Sequence, residues 1–154
     1  AIVLGADTLV GLGLEILGKP TDSEDAVSTL QRLRGKEHKV ITAVAIIGPG
    51  IRGGVEALTV TRVLFREYSD EDIASYVASG DPLDKAGSYA IQNKSFRPAA
   101  EVRGCLLSVV GLPLCQVENL LRVMGLNVKP ARTISIPGSC KARWQGCSLA
   151  PMGQ

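Results

Sequence analysis

Two β-rich runs lie close together near the middle of this chain: residues 39–47, with Val40, Ile41, Val44, Ile46 and Ile47, and residues 55–65. Between them stands Gly48-Pro49-Gly50-Ile51-Arg52-Gly53-Gly54. β-Branched residues bounded by glycine and proline read as two arms of a hairpin with a loose loop. In the second arm Thr59, Thr61 and Arg62 interleave with Leu58, Val60, Val63 and Phe65, the alternation of a half-buried strand.

Other segments add helices and shorter strands. Thr21 or Asp22 is placed to cap a helix, with Glu24 and Asp25 where the helix dipole favours them and Ala26, Leu30 and Leu33 at helical spacing. Gly35 ends that helix. Ser69 caps another, with Ile73, Tyr76 and Val77 as its apolar face, and a last helix over residues 114–124 carries Val117, Leu120, Leu121 and Met124. Residues 1–4 read as a buried strand with Asp7 and Thr8 at its carboxyl end, and residues 9–18 as a hairpin through Gly11 and Gly13. Residues 89–92 and 103–110 read as two further strands. The fold class is α/β, a mixed sheet with flanking helices.

A chain of 154 residues suits one domain with a real core. Aromatic residues are only 4% of it, so that core is expected to be aliphatic. No apolar run is long enough for a membrane span and no signal segment opens the chain, which points to the cytoplasm and to no membrane partner. Residues 127–154 hold Lys129, Arg132, Lys141 and Arg143 but no acid, and read as a flexible basic tail following a domain of residues 1–126. The remainder carries slightly more acid than base, so no nucleic-acid surface is expected. Cys105, Cys115, Cys140 and Cys147 form neither a disulfide framework nor a zinc site, since the one histidine, His38, is remote from the last pair. The chain opens on Ala1, directly inside an apolar run, and is expected to be part of a longer gene product.

Three short stretches carry the chemistry: Leu4-Gly5-Ala6-Asp7-Thr8, Gly18-Lys19-Pro20, and Asp81-Pro82-Leu83-Asp84-Lys85-Ala86-Gly87-Ser88-Tyr89-Ala90-Ile91-Gln92. Each sets carboxylate, hydroxyl, ammonium or amide groups beside glycines at the end of an apolar run. Small-residue turns let a charged ligand approach the backbone, so the three suggest a divided phosphate-handling site. Each residue also has a plainer reading. Asp7 can cap a turn, Lys19 can be a solvated turn lysine, and Asp84 with Lys85 can be surface charge. Gln92 can be an edge side chain in water. His38 reads as structural, and Phe65 and Tyr89 as core.

These blocks, in order with Arg34-Gly35-Lys36-Glu37-His38-Lys39-Val40-Ile41-Thr42-Ala43-Val44, Ser69-Asp70-Glu71-Asp72-Ile73, Tyr76-Val77-Ala78-Ser79-Gly80 and Val109-Val110-Gly111-Leu112-Pro113-Leu114, resemble the Maf family of septum-formation-inhibitor-like nucleoside triphosphate pyrophosphatases. The resemblance covers residues 1–126 and implies the inosine-triphosphatase-like architecture. It implies hydrolysis of a nucleoside triphosphate to monophosphate and pyrophosphate with Mg2+ or Mn2+, nucleotide-pool cleaning, restraint of septum formation and a homodimer. Ala6-Asp7-Thr8 and Ile91-Gln92 resemble the dTTP/UTP branch; the alternatives are a branch acting on methylated GTP, or a nucleotide-binding regulator without turnover.

In that resemblance Asp7 is the general base and a metal carboxylate, Asp84 a second metal carboxylate, Lys19 and Lys85 the phosphate ligands, and Thr8 and Gln92 the specificity residues. A glutamine amide offers a donor and an acceptor to a uracil or thymine edge. Departures are equally clear. The family's Ser-Pro-Arg-Arg-type phosphate loop, an acidic metal residue and a further lysine have no counterpart here. Asn93-Lys94-Ser95-Phe96-Arg97-Pro98 stands where a glycine-rich stretch is usual, and Cys105-Leu106-Leu107-Ser108 replaces another familiar segment. Weak activity or none is expected of a molecule that begins at Ala1.

Overall fold

A computed structural model describes residues 1–49 and 53–126; the basic tail, with Cys140 and Cys147, and the middle of the hairpin loop lie outside the described residues. The hairpin forms as expected, from β3 (Glu37–Ile47) and β4 (Val55–Phe65). β1 (Val3–Leu12) pairs with the other side of β3, a short β2 (Glu15–Leu17) folds back on the end of β1, and β5 (Ala99–Arg103) flanks β4. The five strands run in the order β2-β1-β3-β4-β5, each antiparallel to its neighbours.

Helices α1 (Ser23–Leu33), α2 (Asp70–Ala78), α3 (Leu106–Val110) and α4 (Leu114–Val123) pack on one sheet face. Asp22 starts α1 by accepting the Asp25 N–H at 2.8 Å. Ser69 starts α2 with a reciprocal capping box to Asp72. α1 and α2 then bury the stripes their spacing foretold: Ala26, Leu30 and Leu33 in α1, Ile73, Tyr76 and Val77 in α2. In α4 only Leu120 is buried, while Val117, Leu121 and, at the C-cap, Met124 are partly so. Full burial of one such leucine or isoleucine stabilises by roughly 1.5–3 kcal/mol. Among the described residues no helix is long and apolar enough to cross a membrane.

Several expectations are corrected. The opening strand neither stops at Gly5 nor is buried: β1 runs on to Leu12, and Val3 is 62% exposed. Its residues 3–9 have only β3 beside them, because β2 reaches no further than Val10. In β4 the inward face belongs to Thr59, Thr61, Val63 and Phe65, while Leu58 and Val60 face out. Thr61, and Thr42 beside it on the same face of β3, are inside because their hydroxyls find partners there, whereas the buried Thr59 hydroxyl has none. Thr61 Oγ1 accepts the Cys105 N–H at 3.0 Å and lies 2.8 Å from Ser108 Oγ, and Thr42 Oγ1 donates to Ser108 O at 2.7 Å. A buried hydroxyl left unpaired costs about 1–3 kcal/mol.

Residues 89–92 form no strand: Tyr89 is extended but pairs with no strand, and a turn follows in which the Asn93 N–H donates to Ala90 O at 3.1 Å. Residues 106–110 of the expected last strand are helix α3. The strand breaks at Gly104, whose φ of +130° and closeness to Thr61 exclude a side chain; a Cβ there would lie 2.8 Å from Thr61 Oγ1. Nor is the core simply aliphatic. Phe65, Tyr68, Tyr76, Tyr89 and Phe96 gather in the main cluster with Leu30 and Ile73, and Tyr76 stacks on Phe96 at 4.2 Å. Scarce aromatics are concentrated rather than spread. A second, smaller cluster of Val44, Ile46 and Leu120 sits under α4.

His38 is part of the aromatic cluster. Its ring meets Phe65 edge-on at 4.6 Å, and Nε2 is hydrogen-bonded to the Tyr89 hydroxyl at 2.8 Å. Burial, opposed weakly by the Lys36 backbone, lowers the imidazole pKa to about 4. The Lys36 contact falls short of a hydrogen bond, since Nδ1 has no partner.

Candidate functional site

Five segments border a cavity of about 330 Å³ beside β1, one of them β3 through Val40. β1 contributes Asp7 and Thr8, the loop after β2 contributes Lys19, the segment before β5 contributes Lys85, Tyr89 and Gln92, and the end of α3 contributes Val109, Val110 and Gly111. The size lies at the small end of the range for small-molecule sites. Five of the six residues singled out in the sequence therefore share one cavity wall. Asp84 does not border it.

The three loops meet for identifiable reasons. Gly87 N–H donates to Gly18 O at 3.0 Å, clasping the loop of Lys19 to that of Lys85. Gly87 has φ +69°, and a Cβ there would lie 3.0 Å from Val10 Cγ1. Only glycine suits that crossing. The segment from Asp81 to Ser88 is two short 3₁₀ turns, Asp81–Asp84 and Ala86–Ser88, the first entered through Gly80 and carrying Pro82.

Asp81 organises this segment, a role the sequence reading did not give it. Its Oδ2 accepts the Tyr76 hydroxyl at 2.7 Å and Asn93 Nδ2 at 3.2 Å, and its Oδ1 lies 3.1 Å from Lys85 Nζ. The Tyr76 hydroxyl in turn accepts the Ala90 N–H at 2.9 Å, fixing the chain two residues before Gln92. The Tyr76 hydrogen bond, helped by Lys85 and Asn93, holds the Asp81 carboxyl below its ordinary range. Burial first and Asp81 second push the Tyr76 hydroxyl up.

Lys85 Nζ donates to Asp84 Oδ1 at 2.6 Å and to Asp81 O at 2.8 Å, besides its ion pair with the Asp81 carboxylate. The Asp84 hydrogen bond raises the Lys85 pKa and lowers that of Asp84. Asp84 is 79% exposed, so it is the partner a ligand can displace most cheaply.

Asp7 lies in mid-strand, not at a strand end. Strand alternation turns it to the face opposite Thr8. Its carboxylate nevertheless stays at the free edge of β1, where Oδ1 accepts the Thr8 N–H at 2.9 Å, and it borders both the cavity and a hollow on the outer face. Thr8 points inward, with Oγ1 2.9 Å from Thr42 Oγ1.

The residues fit a divalent cation only in one arrangement. Among the described residues no three His, Cys, Asp or Glu side chains gather as a metal cluster. Asp84 is bound to Lys85 outside the cavity, so an Asp7–Asp84 pair does not fit as a shared site. Asp7 alone, acting with ligand phosphates, matches the one or two carboxylates that magnesium favours.

Sequence reasoning missed Asp81, Tyr76, Thr42 and Gly111 as parts of this site. Thr42 did leave a signal, as a polar residue inside an apolar run directly opposite Thr8 in register. Nothing local marked Gly111, which arrives with a helix the sequence had assigned to a strand.

The Maf-like protein family model matches residues 1–124. A dTTP/UTP pyrophosphatase of Thermomicrobium roseum is 46% identical over 149 residues, covering 97% of this chain and 66% of that protein. One of Aquifex aeolicus is 44% identical over 130 residues, 82% of this chain and 65% of the relative. One of Dehalococcoides mccartyi is 41% identical over 140 residues, 90% and 62% respectively. The chain thus spans just under two thirds of the length of these relatives.

Proposed function

The chain belongs to the family of Maf-like proteins, and from that premise we propose that it is a nucleoside triphosphate pyrophosphatase acting on dTTP and UTP. The observation that carries the reading is the single cavity bordered by Asp7, Thr8, Lys19, Lys85 and Gln92. It is one place where a carboxylate, two cations and a base-sized polar wall converge.

Water adds across the anhydride between the α and β phosphates, leaving a nucleoside monophosphate and pyrophosphate. Asp7 takes the water's proton. Its Oδ1 is oriented by the Thr8 N–H, and its edge position leaves the carboxylate open to water. Lys19 meets the charge that grows toward the leaving pyrophosphate. Lys85 exchanges the exposed Asp84 for a phosphate oxygen while keeping Asp81. Thr8 and Gln92 meet the base. A bound Mg2+ or Mn2+ supplies charge neutralisation on the phosphates, with Asp7 as the carboxylate that holds it. The family resemblance further supports a cytoplasmic, homodimeric protein that cleans the nucleotide pool and restrains septum formation.

The test is a panel of nucleoside triphosphates with Mg2+ or Mn2+, scored for pyrophosphate release, on the protein and on Asp7→Asn. dTTP and UTP are expected to lead, and the amide variant to lose roughly 10²–10⁴ in rate, the span of general acid–base catalysis. Normal turnover by Asp7→Asn would remove Asp7 as base.

A further inference from the structure

We propose that Thr42, buried beneath the cavity, is a positioning residue that fixes the hydrogen-bond polarity of Thr8, so that Thr8 offers a bound base only acceptor lone pairs. The inference rests on the cavity being the base site and deepens that reading.

The argument is a count of protons. A hydroxyl has one proton to donate and two lone pairs. Thr42 is 0% exposed, and its Oγ1 stands 2.7 Å from Ser108 O, a carbonyl that only accepts. The Thr42 proton is therefore spent on α3. Thr42 Oγ1 also lies 2.9 Å from Thr8 Oγ1, and that bond needs a proton from somewhere. Only Thr8 can supply it. With its proton turned down into the sheet, the Thr8 hydroxyl presents lone pairs alone to the cavity it lines.

The register holds this geometry in place. Thr8 and Thr42 are directly opposed on β1 and β3, and Thr42 is opposed in turn to Thr59 on β4. Thr42 sits on a central strand, with neighbours on both sides and α3 above it. Its hydroxyl has no freedom to reverse its bond to Ser108 O, because a carbonyl cannot donate.

A group that meets Thr8 must therefore be a donor. Uracil and thymine carry an N–H at ring position 3 between two carbonyls, which suits an acceptor. Cytosine has a bare nitrogen there, and placing it against Thr8 opposes lone pair to lone pair. A site with fixed polarity rejects the mismatched base because both groups stay unpaired. Gln92, whose amide has one donor and one acceptor, can turn to suit either ring; Thr8 cannot. The discrimination of uracil from cytosine is thereby assigned to a residue that touches no ligand.

Thr42→Val tests this cleanly. Valine has nearly the same shape, is favoured in strands, and leaves Ser108 O still accepting the Gly111 N–H at 3.1 Å. Freed of Thr42, the Thr8 hydroxyl can rotate and donate. The ratio of kcat/KM for UTP over CTP is then expected to fall by roughly fivefold or more, the factor carried by one unpaired buried polar group. Thr42→Ser, which keeps the hydroxyl, is expected to hold the ratio. Thr8→Val is expected to lower it too, and serves if Thr42→Val fails to fold. Calorimetric binding of UMP and CMP reads the same ratio without turnover. Preference for UMP with no pyrophosphate release from UTP would leave the polarity standing and sink the proposed activity. Pyrophosphate release with the UTP/CTP ratio unchanged in folded Thr42→Val would overturn the polarity and leave the activity standing. If neither UMP nor CMP binds and no pyrophosphate is released from UTP, both fall.

Discussion

The one histidine in the chain should make its stability fall between neutral and mildly acid pH. His38 titrates near 6.5 when unfolded and at about 4 in the folded protein, because burial in the Phe65–Tyr89 cluster disfavours the imidazolium. Above the higher value both states are neutral and the group makes no difference. As pH drops below it the unfolded chain takes up a proton that the folded one refuses, so unfolding becomes easier. The loss stops growing only once the folded imidazole protonates as well. Between about pH 7.5 and about pH 5 these two pKa values cost about 2 kcal/mol. That is a large share of the 5–15 kcal/mol that holds a typical domain together. It moves a urea midpoint by about 1 M. Carboxylates do not confuse the window: Asp70, Glu71, Asp81, Asp84 and Glu101 are all held below their ordinary range and lose their partners only at lower pH. The assay is urea unfolding across this range for the protein and for His38→Gln, whose amide can still reach the Tyr89 hydroxyl. The variant should lose most of the slope. An unchanged slope in His38→Gln, or an imidazole titrating near 6.5 by NMR in the folded protein, would refute the reasoning.

Two further substitutions probe the loops of the site. Asp81→Ala strands the Tyr76 hydroxyl and Asn93 amide and frees Lys85; it should cost about 2 kcal/mol after allowance for solvent screening, and raise KM more than it lowers kcat. Urea unfolding reads the first, and a loss under about 0.5 kcal/mol, typical of a plain surface change, would count against a hub role. Gly87→Ala forces a side chain into a left-handed backbone and against Val10; about 2 kcal/mol or more of stability should go, read by thermal unfolding. A variant as stable as the parent would mean the loop clasp is looser than its geometry implies.

The strongest local signals in the sequence survive in the structure. Asp22, Ser69 and the two long β runs act within a few residues, and short-range chemistry decides them. What was illegible depends on distant partners. Thr61 looks like an outward residue until α3 brings Ser108 and the Cys105 backbone over it. Residues 106–110 look like a strand because their valines and leucines do not reveal that Gly104 has already turned the chain. The site shows the same division. Asp7, Thr8, Lys19, Lys85 and Gln92 stand beside glycines in short motifs and are visible. Asp81, Tyr76 and Thr42 act through other residues, and only the folded chain shows which. The exposed Val3 and Leu58 were read as inward because hydrophobicity alone does not say which face of a sheet is covered.

The hydrogen bond between the Gly87 N–H and Gly18 O makes the two lysines travel as one body. Separate loops would each surrender their wandering when a polyphosphate arrives, and the ligand would have to offset both losses. Joined loops surrender it once, largely during folding. The spacing of the two positive charges is thus set before any ligand enters, which favours anions whose own charges are strung at a matching interval over those that merely carry as many.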